Sequence, residues 1–403
     1  TESIVPQAFI NHNLKAGDVI LSKDSNIGET IILDEDYPNY MLSGALYKLP
    51  LDESNKYYVL AFIKHHYFRE QLNRMVPKGA TLRHAGTKFL KCLIPFPITN
   101  KELIVNHVSS ITKRIIDIEI EIKKRRKAIN DLIEEEIVGN QLIDKTYKFA
   151  YATYRDLTIG KRLDTGIYSN TFQRISFLLN NYKYGVFNVS SGKLKSGSTP
   201  KIREISEYKN NGLRWITPTN CSDYGYIQNH EQIATPTKNN IGEDAVLLIN
   251  RTSRGGKGEY VGIGALYDYK TYGAGHHNQG IYRIIGYSKA ELVFITCFMN
   301  TSIMRMYCAA LSAGSKMKEI KSEQFLSVPI PIFPHDQLQK VYDLFYTEGF
   351  DCNIENILTL NLEQIGLFHL SIAKDLLNRY LNSVLDLITN NIDFQIVGNR
   401  VDQ

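Results

Sequence analysis

Residues 14–33 read LKAGDVILSKDSNIGETIIL, and residues 241–264 read IGEDAVLLINRTSRGGKGEYVGIG. Both are β-prone runs broken by a polar, Gly-containing loop, and the parallel continues in order beyond them. GALYKL at 44–49 answers GIYRI at 280–284, and KYYVLAFIKHHYFREQLNRMV at 56–76 answers KAELVFITCFMNTSIMRMYCA at 289–309. KGATLRHAGTKFLKCLIPFP at 78–97 answers AGSKMKEIKSEQFLSVPIPIFP at 313–334. Each copy then runs into a charged segment with helical apolar spacing. The copies lie roughly 230 residues apart, far beyond the ~20–50-residue period of solenoids and propellers. The pattern is a duplicated domain-plus-helix unit, expected to touch two similar things at a set separation.

The clearest single element follows the first copy. Ile104, Val108, Ile111, Ile115, Ile118, Ile122, Arg125, Ile129 and Leu132 alternate steps of four and three, a heptad seam with one charged interruption. Residues 101–136 carry eight Lys/Arg and eight Asp/Glu, so the outer face is solvated. At ~1.5 Å per residue this predicts a rod of roughly 54 Å whose seam needs a partner. The second copy supplies one, with Leu358, Ile365, Phe368, Ile372 and Leu376 at looser helical spacing. Since each helix follows its own head, the two are expected to pair antiparallel; the competing reading lays the helix on its own domain.

The fold class expected is α+β: two strand-rich, mixed α/β heads separated by long helices that pair as an antiparallel coiled coil. The expected divisions are 1–100 for the first head, 101–150 for the first spacer helix, 151–334 for the second head and 335–403 for the second spacer helix. Helices are predicted over 57–74, 168–180 and 291–310. About 58 residues precede the GEDAVLL strand in the second copy, against about 16 before GDVILS in the first. The first head therefore reads as lacking its opening strands, or the chain as a piece of a longer polypeptide.

A length of 403 residues suits two domains, and 43% hydrophobic residues suit ordinary cores. The five cysteines are odd in number and form no CxxC pair, so they support neither a disulfide framework nor a zinc site and fit a reducing cytoplasm. A net charge of +5 permits nucleic acid as a partner without requiring it.

Motifs for chemistry are missing. No GxxxxGK[ST], HExxH or GxSxG string occurs, and ITPTN and IPFPI do not fit an amino-methyltransferase tetrapeptide. The pairs His65–His66 and His276–His277 are adjacent, a spacing that separates two imidazoles on a helix, so no metal site is expected. Catalytic residues are therefore expected to be none.

Binding residues are better represented. Lys23, Ser25 and Asn26 in the first copy answer Arg251, Ser253, Arg254 and Lys257 in the second. Lys78, Arg83, His84 and Lys88 answer Lys316, Lys318 and Lys321. The SGSTPK loop adds Lys195, Ser198, Thr199 and Lys201, and the GAGHHNQG loop adds His277 and Asn278. Such side chains suit base edges and phosphates: Arg and Lys bond guanine, Asn and Gln bond adenine, and Ser, Thr and Gly let backbone N–H groups approach phosphate. Any one basic loop residue is ordinarily solvated surface; recurrence at matched places is what singles these out. Asp18 and Asp244 read as turn-formers, and Trp215 as core.

Together these residues resemble the specificity subunit of type I restriction–modification systems. The doubled order of strands, short helix, Lys/Ser-Gly loop, proline string and long helix carries the resemblance. SGSTPK followed by LRWITPTN (213–220) is similar to the family's opening of a target-recognition domain. RLDTGIY (162–168) looks like its lead-in to a second recognition domain, with Gly166 where an acid usually stands. VPIPIFPHDQLQ (328–339) resembles the start of the spacer helix, with Asp336–Gln337 for Glu–Gln, whereas the first junction, PFPITNKEL, lacks that pair. The resemblance implies two target-recognition domains on an antiparallel helical rod, each reading half of a split sequence in double-stranded DNA. Methylation and cleavage would come from partners: two methyltransferase subunits, which carry S-adenosylmethionine and flip out an adenine, and a restriction or translocase subunit. This chain itself would bind no cofactor and contact no membrane. A rod of roughly 54 Å exceeds one DNA turn of ~34 Å, as a split target needs. Two other readings stay open: the recognition module of a fused or type II-like restriction–methylation enzyme, and a coiled-coil scaffold for proteins.

Overall fold

The computed structural model describes residues 13–76, 84–142, 147–160, 162–199, 203–205, 212–229, 232–235, 239–252, 260–314, 316–390, 395–397 and 400–402. The fold is mixed α+β. The first repeat holds β1 (Val19–Ser22), β2 (Thr30–Ile32), β3 (Leu46–Leu49), α1 (Lys56–Lys64) and α2 (His66–Met75), followed by α3 (Lys101–Gly139). After α4 (Tyr154–Gly160) and α5 (Asn170–Asn180) come β4 (Val186–Phe187), β5 (Leu194–Ser196), β6 (Arg203–Ile205), β7 (Leu213–Ile216) and β8 (Gln232–Ala234). Then follow β9 (Ala245–Ile249), β10 (Gly264–Tyr267), α6 (Tyr269–Tyr272), β11 (Gly275–His277), β12 (Ile281–Ile284), α7 (Lys289–Met299) and α8 (Ser302–Leu311). The chain ends through α9 (Ser322–Leu326), β13 (Ile330–Pro331), α10 (His335–Phe345), α11 (Ile354–Thr359), α12 (Leu367–Thr389), β14 (Gln395–Val397) and β15 (Arg400–Asp402). No single helix among the described residues is long and apolar enough to cross a membrane.

Two compact units form: Thr1–Ile122 with Phe350–Gln364 and Leu370–Gln403, and Lys123–Gly349 with Ile365–His369. In the first unit, β1 is the centre of an antiparallel sheet ordered β2-β1-β3, with Val19 opposite both Ile32 and Leu49. Val19, Leu21, Leu49, Leu60, Ile63, Phe68, Leu72 and Phe89 form its core. Burying each such side chain contributes about 1.5–3 kcal/mol.

The long helix is present and continuous over 39 residues. In the first unit its Ile104, Val108, Ile111, Ile115, Ile118 and Ile122 are buried, as the seam requires. The facing element is α12. His107 Nε2 lies 3.0 Å from the Tyr380 hydroxyl, and Lys374 Nζ lies 3.7 Å from Glu119 Oε1. Partners fall in number as α3 rises, so the pairing is antiparallel. The Arg114 guanidinium adds hydrogen bonds to the carbonyls of Ile357 and Leu360, the first at 2.7 Å.

Three expectations about the spacer helices change. The buried stripe of α12 is Leu370, Ala373, Leu377, Leu381, Val384 and Ile388, whereas Leu358, Ile372 and Leu376 are only half-buried. Against a single spacer helix from His335 onward, the structure has α10, α11, a 3-10 turn (Leu362–Gln364) and α12. Past Arg125 the buried face of α3 steps by fours through Ile129, Ile133 and Ile137, leaving Leu132 half-buried. A straight helix repeats every 3.6 residues and drifts away from a strict 3.5 seam.

The second unit repeats the plan of the first and adds to it. Its main sheet is ordered β10-β9-β12-β5, so β10-β9-β12 matches β2-β1-β3 strand for strand, with Ile284 opposite Val246 where Leu49 faces Val19. A second sheet is ordered β11-β7-β8-β6, and its strands β6, β7 and β8 come from the segment ahead of the repeated unit. The single helices expected over 57–74 and 291–310 are each two helices. The first breaks at His65, in extended conformation, and the second bends by 72° between α7 and α8. Local caps explain both breaks: the His65 ring accepts from Tyr67 N–H, and Thr301 accepts from Met304 N–H at 3.3 Å. α7 opens with a capping box, Ser288 and Glu291 each bonding the other's backbone N–H.

The turn before the second strand is also shared. Gly28 (φ +82°) and Gly262 (φ +83°) both sit in left-handed conformation, and their N–H groups donate to Ser22 O at 2.8 Å and Ile249 O at 2.7 Å. Both press on the second helix of the pair. A Cβ at Gly28 would meet Leu72 at 3.1 Å, and one at Gly262 would meet Cys308 Sγ at 2.5 Å. Arg69 and Arg305 donate to the carbonyls just before these glycines, Ile27 and Val261.

Gly262→Val combines a disallowed φ with overpacking and is expected to destabilise the second unit by about 1–3 kcal/mol, read by urea unfolding. Ile118→Asp buries an unpaired charge in the α3–α12 seam and is expected to cost about 3–5 kcal/mol. A thermal melt of that variant unchanged from wild type would contradict the seam.

Candidate nucleic-acid interface

In each repeat the chain leaving the central strand is laid against the segment that follows the helix pair. In the first, Ala85 N–H donates to Lys23 O at 2.8 Å, Lys23 N–H donates to Ala45 O at 2.9 Å, and His84 Nδ1 lies 2.8 Å from Asp24 Oδ1. In the second, Thr252 N–H donates to Lys318 O at 2.9 Å, Lys318 N–H donates to Thr252 Oγ1 at 3.1 Å, and Ile320 N–H donates to Asn250 O at 2.9 Å. The bridges Asp24–His84 and Arg251–Glu319 are the matching pairs. Two basic groups that are 60–70 residues apart in the sequence therefore share one edge, in both repeats. The reason is topological: the loop after the central strand emerges beside the chain returning from the second helix.

The predicted residues divide as follows. Ser25 and Asn26 are exposed at the tip of the first loop, Ser25 in left-handed conformation (φ +59°), with Lys23 half-buried beneath them. His84 is exposed, and Lys88 is half-buried in a 3-10 turn (Lys88–Lys91). Lys316 is exposed and Lys318 half-buried on the second edge, beside half-buried Arg251. Lys195 and Thr199 are exposed. Ser198 is held down, its N–H donating to His277 O at 3.2 Å and its hydroxyl 3.4 Å from His276 Nε2. Lys78, Arg83, Lys201, Ser253, Arg254 and Lys257 lie outside the described residues.

His277 needs correction as a contact residue. Its side chain is fully buried on β11, and neither ring nitrogen has a hydrogen-bond partner. Burial, then the charges of Arg283 and His276, push its pKa down to about 3, so the ring is neutral and adds no positive charge to the surface. Asn278 is half-buried and spends its Oδ1 on Gly280 N–H at 2.6 Å, closing the turn. Trp215 is core, and Asp18 forms a turn by accepting from Lys15 N–H at 2.8 Å.

Beside Arg251 the second unit opens into a cleft of about 1180 Å³. Thr219, Gln228, Asn278, Arg251, Tyr224 and Tyr260 line it, with Asp223 and Arg305. Asp223 is engaged by Arg126 of α3 at 2.8 Å, and that guanidinium also lies 4.1 Å from the Tyr224 ring centre. Sequence reasoning did not single out Tyr224, Gln228, Tyr260 or Arg305. The signal available was the aromatic-polar string SDYGYIQ (222–228), whose residues face one cleft only once β7 and β9 belong to neighbouring sheets. The arrangement offers amide and guanidinium donors, hydroxyls and flat aromatic faces together, the groups that read and stack on bases. No nucleophile–base pair is seen among the lining residues.

No family model matches the chain. Over 183 residues the chain is 30% identical to the type I restriction enzyme MjaIX specificity subunit of Methanocaldococcus jannaschii, a match covering 44% of this chain and 40% of that protein. The chain is similar to a type I specificity subunit. The match spans well under half of that relative's length. Among solved structures, the S subunit of a type I restriction–modification system from M. genitalium overlays on 96% of this chain and 85% of its own, at 14% identity and a TM-score of 0.45. The HsdS subunit of Thermoanaerobacter tengcongensis covers 96% and 85% at 12% identity and a TM-score of 0.31.

The buried His277 gives the second unit a pH signature. A histidine depressed to about 3 in the folded state and near 6.5 when unfolded leaves stability intact above pH 6.5 and removes it as pH falls toward 3. His277→Leu is expected to lessen the acid-side slope of unfolding free energy by up to about 1.4 kcal/mol per pH unit. Equal slopes for the two proteins between about pH 4 and 6 would contradict this burial.

Proposed function

We propose that this chain is the DNA sequence-recognition subunit of a type I restriction–modification complex. The observation that carries this reading is the repetition of one edge in two heads. β2-β1-β3 and β10-β9-β12 share strand order, and each sets a Lys- or Arg-bearing loop against a second basic segment. Two similar basic edges suit a target in two parts. The similarity to a specificity subunit supports the same reading.

In this proposal Lys23, Ser25, Asn26, His84 and Lys88 contact one half of a bipartite target. Arg251, Lys316, Lys318, Lys195 and Thr199 contact the other half. The helices following each repeat serve as the conserved spacer. The chain is non-catalytic and carries no cofactor of its own. Two methyltransferase subunits holding S-adenosylmethionine methylate adenine, and a restriction subunit cleaves, in the cytoplasm. The cleft beside Arg251 contributes Gln228, Tyr224 and Tyr260 to base or sugar contacts in the second half-site.

The double variant Arg251→Glu, Lys318→Glu, assembled with its methyltransferase partners, is expected to lose affinity for DNA while the chain still folds. Each phosphate contact removed should lower the slope of log K against log salt by about 1. Single-molecule methylation mapping in the source organism, with and without the gene, tests the function itself. Loss of one split adenine-methylated motif supports the reading, and DNA binding with no sequence preference and no salt dependence overturns it.

A further inference from the structure

Adjacent histidines on a helix point about 100° apart, which is why His65–His66 does not look like a metal pair in the sequence. The fold removes that objection. His65 lies between two helices in extended conformation (φ −73°, ψ 152°), and His66 is the first residue of α2. The two rings converge, with centroids 4.1 Å apart. Asp386 of α12 meets them from the opposite side, its Oδ1 3.2 Å from His65 Nε2 and 3.7 Å from His66 Nδ1. All three donor atoms lie within 4.8 Å of one another.

Three further features favour an ion. His65 is buried, its side chain 1% exposed, and its Nε2 has no aligned hydrogen-bond partner despite the nearby carboxylate. A buried polar atom left unsatisfied costs about 1–3 kcal/mol, so the site gains from a ligand that uses it. His66 and Asp386 are 59% and 48% exposed, which gives an ion a path from solvent. A metal on Nε2 moves the ring proton to Nδ1, giving up only the long 3.5 Å contact with Tyr67 N–H.

We propose that His65, His66 and Asp386 bind one divalent transition-metal ion of the zinc, cobalt or nickel class, tying the α1–α2 corner to α12. The donor set decides the class: two imidazole nitrogens and one carboxylate suit these metals, whereas calcium and magnesium take mainly oxygen ligands. Tetrahedral coordination at ~2.0–2.2 Å places ligand atoms about 3.4 Å apart. The 3.2 and 3.7 Å separations bracket that value, and the third pair of ligand atoms lies within 4.8 Å. At least one position stays open to water. In the second repeat Thr301 and Ser302 stand at the corresponding corner, so the site belongs to the first repeat alone among the described residues.

The test uses the full chain, stripped with chelator and titrated with zinc by calorimetry and with cobalt by visible absorption. One ion per chain is expected, with intense cobalt bands and a raised melting temperature. His66→Ala and Asp386→Asn, both at exposed positions that should not disturb folding, are expected to lose at least ~10–100-fold in affinity, the loss that even outer-sphere changes cause. His335→Ala, which removes an exposed histidine elsewhere, should bind as wild type does. Absence of stoichiometric binding, or affinity unchanged in both ligand variants, would overturn the proposal and leave His65–Asp386 as a simple polar contact.

Discussion

A helix of 39 residues with an apolar stripe from Ile104 to Ile122 cannot stand alone in water, and the covering of that stripe organises the first unit. Ile104 through Ile122 find their cover in α12, more than 250 residues later in the chain. The consequence is that residues 370–390 belong with the N-terminal sheet and not with the repeat that precedes them. Such pairing is non-directional along most of its length, so register comes from the few polar ties: His107 to Tyr380, Glu119 to Lys374, and Arg114 to the carbonyls ending α11. Burying the apolar faces supplies the free energy, while these ties select one alignment among several of similar apolar area.

The duplication is kept most strictly where the backbone is most constrained. The left-handed glycine, the arginine that bonds the carbonyl before it, and the break between two helices recur in both repeats. The side chains around them have diverged freely: Leu72 stands against Gly28, but Cys308 against Gly262. The loops at the paired edge differ in length and sequence between the repeats, residues 23–28 against 250–262. The second unit adds a further sheet and, with it, the cleft beside Arg251, so the two edges present similar positions in different settings.

Several polar residues that look alike in the sequence have unlike roles. His84 is exposed against Asp24, whereas His277 is sealed in a strand and neutral. Asp268 is fully buried yet ionised, because Lys289 and Thr271 bond its carboxylate and outweigh the cost of burial. Composition cannot separate such cases, since the charge state of a group depends on how much water its surroundings exclude and on which opposite charges lie near it.

The sequence by itself determined the repeat, the order of its elements along the chain, the α3 helix and the buried stripe from Ile104 to Ile122. These depend on local periodicity and on the recurrence of one pattern, and both survive without knowledge of what packs against what. It also marked the basic loops at Lys23 and Arg251 and the segments at His84 and Lys318 as belonging together by analogy. Tertiary structure alone decided that these segments lie side by side, that α12 presents Leu370, Ala373 and Leu377 rather than Ile372 and Leu376, and that His277 is interior. It also decided that His65 turns out of its helix toward Asp386. The physical reason is common to all four: each depends on contact between residues distant in the chain, where burial and hydrogen-bond satisfaction override local propensity, and periodicity carries no record of the partner.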